Sequence, residues 1–181
     1  DILNRVLERF APIAPTSHTL HLDMDRDLRD DHRIAEWEET ARQGLELWVP
    51  GLDDPAKISV ETLWYDPSSL ASLVEDFRLS VCLDAGHHFK YGYDLAKSLR
   101  LFENRIPLMH LHGVDFSARD KNGRPKDHQG LDRYSADHFH QVADALSSFQ
   151  GTVSLEVFNL ANLKASLATL GKLFQDIPSL E

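Results

Sequence analysis

Apolar positions along the chain follow two spacings in turn, and the exchange between them predicts alternating strands and helices. Ile2, Val6, Leu7 and Phe10 recur at helical spacing, so residues 2–10 are read as a helix. Pro12 and Pro15 break it, and Ala11 to Ser17 is a loop. His18 to Asp23 reads as a strand. Polar Asp25 to Asp31 leads into a helix from about His32 to Leu47, with Ile34, Trp37, Ala41 and Leu45 on one face. Pro50 to Pro55 is a turn-rich connection, and Ile58 to Leu63 a second strand. Asp66-Pro67-Ser68 opens a short helix with an N-cap followed by proline in the first turn. Leu79 to Asp84 is a third strand, with a helix from about Tyr93 to Phe102. Pro107 to Val114 is a fourth strand, followed by a long polar loop from Asp115 to Leu131 and a helix from Ser135 to Phe149. Thr152 to Phe158 is the fifth strand and Asn162 to Phe174 the last helix.

Five strand–helix alternations imply parallel strands joined by right-handed crossovers. The third to fifth strands are apolar nearly throughout, as strands covered on both faces are. The fold class expected is α/β, a (β/α)8 TIM barrel to which this chain contributes about the last five βα units. Residues 1–181 form one domain in this reading. An open five-stranded sheet is the simpler alternative, but it would have two edges to protect. The chain opens inside a helix without an initiator methionine, and we expect an N-terminal portion with the first strands to precede it. Open edges would also allow self-association, so a homo-oligomer is among the expectations.

Composition narrows the function. A formal net charge of −10 repels a phosphate backbone, which argues against nucleic acid as a general partner and for a small-molecule substrate. The single cysteine, Cys82, permits no internal disulfide. With no signal-peptide pattern and no apolar run long enough to span a bilayer, a cytoplasmic location without membrane attachment is expected. Ten histidines are many for this length, and several stand near acidic residues on the predicted strands.

Those residues share one position in the pattern. Glu61 closes Ser59-Val60-Glu61 near the end of the second predicted strand, and Asp84 ends the third, followed by Gly86, His87 and His88. His110 and His112 lie in Met109-His110-Leu111-His112, and Glu156 lies in Val153-Ser154-Leu155-Glu156. In a parallel barrel those strand ends converge on one rim. Charged groups beside buried strands are costly unless paired or bound to a metal ion. An oxygen-rich set with histidine suits zinc, manganese, cobalt or magnesium. More ordinary roles suit the same residues. Asp84 also suits a plain N-cap, Glu61 and Glu156 could be buried acids paired with Arg or Lys, and His110 a core or supporting histidine. His88 and the pair Asp127 and His128 suit loop surface, Cys82 core, and His32, His138 and His140 helix surfaces. His21 is the one first-strand histidine read as able to face the rim.

Glu61, Asp84-x-x-His87, His110-x-His112 and Glu156 resemble the superfamily of xylose-isomerase-like barrels, which includes sugar isomerases and epimerases and the type 2 apurinic endonucleases. The resemblance implies that Glu61, Asp84, His112 and Glu156 hold a divalent metal, zinc being the first expectation. It also implies a further metal on His87, Asp127 and His128, although here the Asp and His are adjacent rather than separated by one residue as in the endonuclease branch. Leu111-His112-Gly113-Val114 and Asp127-His128-Gln129-Gly130-Leu131 are similar to cobamide-remodelling phosphodiesterases of the same superfamily.

Three functions follow as expectations. The first is hydrolysis of a phosphoester, of cobamide type or a related small substrate, by metal-activated water. The second is a sugar or sugar-phosphate isomerase or epimerase with one metal, Glu61 and Glu156 as acid and base, and His87 on the sugar. The third is a barrel that binds a ligand without chemistry.

Overall fold

The computed structural model describes residues 2–25 and 31–176. Most of the predicted polar stretch from Asp25 to Asp31 therefore lies outside the described residues. Helix α1 (Ile2–Phe10) precedes strand β1 (His18–Leu20) and helix α2 (Asp31–Trp48). Strand β2 (Ile58–Glu61), helix α3 (Ala71–Asp76) and strand β3 (Ser80–Asp84) follow. Two short helices come next, α4 (Ala85–Tyr91) and α5 (Leu95–Leu101), then strand β4 (Leu108–Leu111). Strands β5 (Gly113–Arg119) and β6 (Pro125–Gln129) form a hairpin before helix α6 (Ala136–Ser148), strand β7 (Thr152–Leu155) and helix α7 (Leu160–Asp176).

Strands β1, β2, β3, β4 and β7 hydrogen-bond in that order, every pair parallel, and the sheet curls into part of a barrel. Side chains alternate between its faces. Val60, Val81, Leu83, Met109 and Leu111 are fully buried in two apolar clusters that also include residues of the helices, among them Leu45, Leu73, Leu95 and Val142. Each such side chain contributes roughly 1.5–3 kcal/mol on leaving water. The alternate positions of the same strands carry Ser59, Glu61, Ser80, Cys82, Asp84 and His110, a polar and titratable surface inside the curl. One period-2 pattern thus builds the core on one face and gathers chemistry on the other.

The structure differs from the pattern reading in two places that matter. The expected loop from Asp115 to Leu131 is mostly the β5–β6 hairpin, a separate two-stranded sheet leaving the barrel rim. The helix expected from Tyr93 is preceded by another, α4, which begins immediately at the end of β3. The Asp84 carboxylate caps α4 by accepting the His87 amide N–H at 2.9 Å. Gly92, at φ 76°, ends it in the left-handed conformation open to glycine.

Candidate metal centre

Strand register delivers the rim residues to one place. Asp84 lies opposite His110, and Leu111 opposite Leu155. The Glu156 amide donates to Leu111 O at 3.0 Å, extending the ladder by one residue so that its side chain also reaches the rim. One ligand atom from each of Glu61, Asp84, His110 and Glu156 lies within 4.8 Å of the others. A second group with the same spacing is formed by His87, His112 and His128.

The first group is rich in carboxylate. His110 Nδ1 is 3.4 Å from Glu61 Oε1 and 3.4 Å from Glu156 Oε2. Burial disfavours charge on this imidazole, but the Cys82 side chain and the two glutamates outweigh burial and push its pKa up to about 12. Glu61 is almost fully buried, which raises its pKa, yet contacts with His110 and His21 bring it below the ordinary value. His21 Nε2 stands 2.7 Å from Glu61 Oε2, an outer partner that fixes the carboxylate's orientation. Cys82 sits beneath, its thiol pushed up to about 11 by burial.

Asp84 joins the two groups. Its Oδ1 is 3.2 Å from His112 Nε2 and its Oδ2 is 3.5 Å from His87 Nδ1. Burial alone would raise the Asp84 pKa; the neighbouring His112 and His87 hold it well below the usual carboxylate range. Asp84 in turn raises His112 against the effect of burial, whereas burial and repulsion from His112 lower His128. The rings of His112 and His128 are 4.3 Å apart, and His87 lies 5.2 Å and 5.9 Å from them. All three rings have a carbonyl beside Nδ1: Thr62 O at 3.1 Å for His87, Glu156 O at 3.2 Å for His128 and Gly113 O at 3.2 Å for His112. Donation of Nδ1–H to Thr62 O and Glu156 O would leave Nε2 of His87 and of His128 free for a metal ion. A glycine makes room for His112: a Cβ on Gly86 would fall against its Cε1, so the imidazole rests directly on the first turn of α4.

The donor set fits a divalent cation. Asp84 Oδ2, His110 Nδ1, His112 Nε2 and Glu156 Oε2 are buried without a hydrogen-bond partner. Their neighbours are near enough for charge attraction yet are not aligned as hydrogen bonds. Four such atoms on one rim are costly in the protein alone, and divalent cations bound there would supply the missing partners.

The expected ligands are rearranged in detail. His110 rather than His112 stands among the three carboxylates, and His112 falls with His87 and His128. Asp127 is not brought to either group; its carboxylate accepts from Lys90 Nζ at 2.6 Å. The side chain alternates away from the rim, while His128, at φ 52°, turns in. His88, read as loop surface, is buried on α4, with Nδ1 2.7 Å from Asp84 O and Nε2 2.9 Å from Ser98 Oγ. Its pKa is lowered by burial. His138, read as helix surface, stacks on Phe89 with ring centroids 4.1 Å apart. Lys90 had no signal in the sequence. Its role needs the hairpin, which hydrophobic spacing did not show.

The sequence pattern of the xylose isomerase-like TIM barrels (AP endonuclease 2) matches residues 13–173. The chain belongs to this family. Solved barrels agree with that assignment in fold. A xylose isomerase domain protein from Planctomyces limnophilus superposes with a TM-score of 0.66 at 12% identity, over 95% of this chain and 63% of that one. The IOLI protein, with a bound zinc atom, gives 0.63 at 13% identity over 97% and 69%. The E. coli 3-keto-D-glucoside 4-epimerase YcjR, in its apo form, gives 0.56 at 13% identity over 94% and 68%. The chain thus spans 63% to 69% of the lengths of these solved barrels. A comparison with curated protein sequences finds no match. Among the described residues no helix is long and apolar enough to cross a membrane.

Proposed function

We propose that this chain carries the active centre of a two-cation phosphoester hydrolase. The observation that supports this reading most is the adjacency of two ligand groups around one carboxylate, Asp84, whose Oδ1 faces His112 and whose Oδ2 faces His87. Glu61, Asp84, His110 and Glu156 would hold one divalent cation, and His87, His112 and His128 the other. Zinc suits the histidine group, and manganese, cobalt or magnesium the oxygen-rich one. Divalent cations held there would supply Lewis acidity towards a phosphoryl oxygen and would make hydroxide available near neutral pH. The protein groups around them keep the ligands in place: His21 orients Glu61, Thr62 O faces His87, and Glu156 O faces His128. Trp64 and Tyr91, half-buried, and Phe158, exposed beside the His128 ring at 4.7 Å, would line the entrance for a ring-bearing substrate. The strings around His112 and His128 make a cobamide-type phosphodiester the first candidate substrate.

A second reading rests on Glu61 and Glu156, which flank His110 symmetrically at 3.4 Å. With a single cation, this pair suits proton exchange at a sugar carbon.

The test is hydrolysis by the full-length protein loaded with zinc or manganese, using bis(4-nitrophenyl) phosphate and a cobamide in 18O-water. The reading predicts one 18O in the phosphate product and loss of turnover in His128→Ala. No hydrolysis, together with deuterium exchange into a sugar that Glu156→Gln abolishes, would establish the epimerase reading instead.

A further inference from the structure

Lys90 is the only lysine among the buried described residues, and its side chain is 2% exposed. An ammonium group out of water must be paired. Its two carboxylate partners both come from the β5–β6 hairpin: Asp127 Oδ2 at 2.6 Å, within β6, and Asp120 Oδ2 at 3.5 Å, just after β5. Among the described residues the hairpin shares no strand pairing with the barrel sheet, so contacts outside the strand ladder hold it in place. Lys90 stands three residues after His87 on α4, on the same side of the helix. Asp127 immediately precedes His128, whose backbone is held at φ 52°, a conformation costly for a side-chain-bearing residue unless its surroundings enforce it. His128 is pinned on the barrel side as well. Its amide donates to His112 Nδ1 at 3.1 Å, and its carbonyl accepts from Asn162 Nδ2 at 3.2 Å.

We infer that Lys90 is a positioning residue: it clamps the hairpin through Asp127 and Asp120 and so sets His128 against His87 and His112. One seven-residue helix then performs three linked tasks. Its cap is Asp84, its first turn presents His87, and its last turn anchors the strand that carries His128. Asp127 belongs to this clamp and serves the centre through His128. The inference rests on the two-cation reading for its consequence, but the clamp itself is a property of the protein without metal.

The test has two readouts on the full-length protein. In the metal-free state, amide exchange of His128 is followed by NMR. Lys90→Met should speed it by about tenfold or more, and Lys90→Arg should keep it near wild type. In cobalt-loaded protein, Lys90→Met should keep one equivalent on the carboxylate group and lose the one on the histidines. Asp127→Asn, which keeps the side-chain shape and leaves Lys90 its Asp120 partner, covers the case in which Lys90→Met fails to fold, and should move both readouts the same way. Unchanged His128 exchange in the folded variants would overturn the clamp, whatever the metal content. Faster exchange with fewer than two equivalents in the wild type would leave the clamp standing and overturn the two-cation reading instead.

Discussion

Gly86→Ala isolates the packing on which the histidine group depends. Gly86 is the second residue of α4, and its φ is outside the left-handed range, so the backbone accepts alanine. By the helix term alone the change should stabilise by roughly 0.4–1 kcal/mol. The new methyl, however, would lie 2.2, 2.3 and 2.5 Å from His112 Cε1, Nδ1 and Nε2, where ordinary contact starts at 3.4 Å. The ring must retreat by about 1 Å, as such contacts require. It is fully buried, with the His128 ring 4.3 Å away and Asp84 Oδ1 at 3.2 Å, so retreat means repacking. Overpacking of this kind costs about 1–3 kcal/mol, which leaves a net loss on the order of 1–2 kcal/mol. Urea denaturation of the metal-free protein reads that loss. Gly44→Ala at an exposed position of α2, where a Cβ meets nothing within 4 Å, is the control that should gain stability. Cobalt titration reads the site, with affinity at the histidine group falling about 10–100-fold. Wild-type stability and affinity in Gly86→Ala would refute the packing of His112 against α4.

Two further outcomes follow from the electrostatics. His110 holds a proton up to about 12, so a cation must displace it; affinity at the carboxylate group should rise with pH by up to about tenfold per unit between pH 6 and 8, measured by competition with a chelator. The same raised pKa means the native state binds more protons than the unfolded chain above about pH 6.5. The metal-free wild type should therefore lose stability relative to His110→Gln as pH rises from there, in denaturant titrations at several pH values. His21→Ala removes the 2.7 Å partner of Glu61 and should weaken metal at the carboxylate group about 10–100-fold while leaving the histidine group unchanged, by the same titration.

The barrel was legible because strand–helix alternation is a local property: all five strands of the curled sheet fall within predicted segments, and Glu61, Asp84, His110 and Glu156 lie at or near their carboxyl ends. The partition of ligands was not legible. Which of His110 and His112 stands among all three carboxylates depends on where β4 leaves the sheet: the strand ends at Leu111, so His112 no longer follows its alternation and reaches Asp84 only. The hairpin was hidden because β5 and β6 are polar and only partly buried, with irregular register, and lack the apolar alternation that marks a strand. Asp127 looked like a ligand from its place beside His128, and its distance from both groups follows from a buried lysine 37 residues earlier. His88 looked like surface because α4 begins without a break after β3; its burial follows from the helix turning it back onto Asp84 O and Ser98.

The central claim is that the rim holds two divalent cations. Elemental analysis of the full-length protein, purified without chelator and then equilibrated with zinc or cobalt, tests it directly. The two-cation reading predicts two equivalents per chain, one lost in His110→Ala and the other in His128→Ala. Fewer than two equivalents under saturating metal, or two that survive both substitutions, would contradict it.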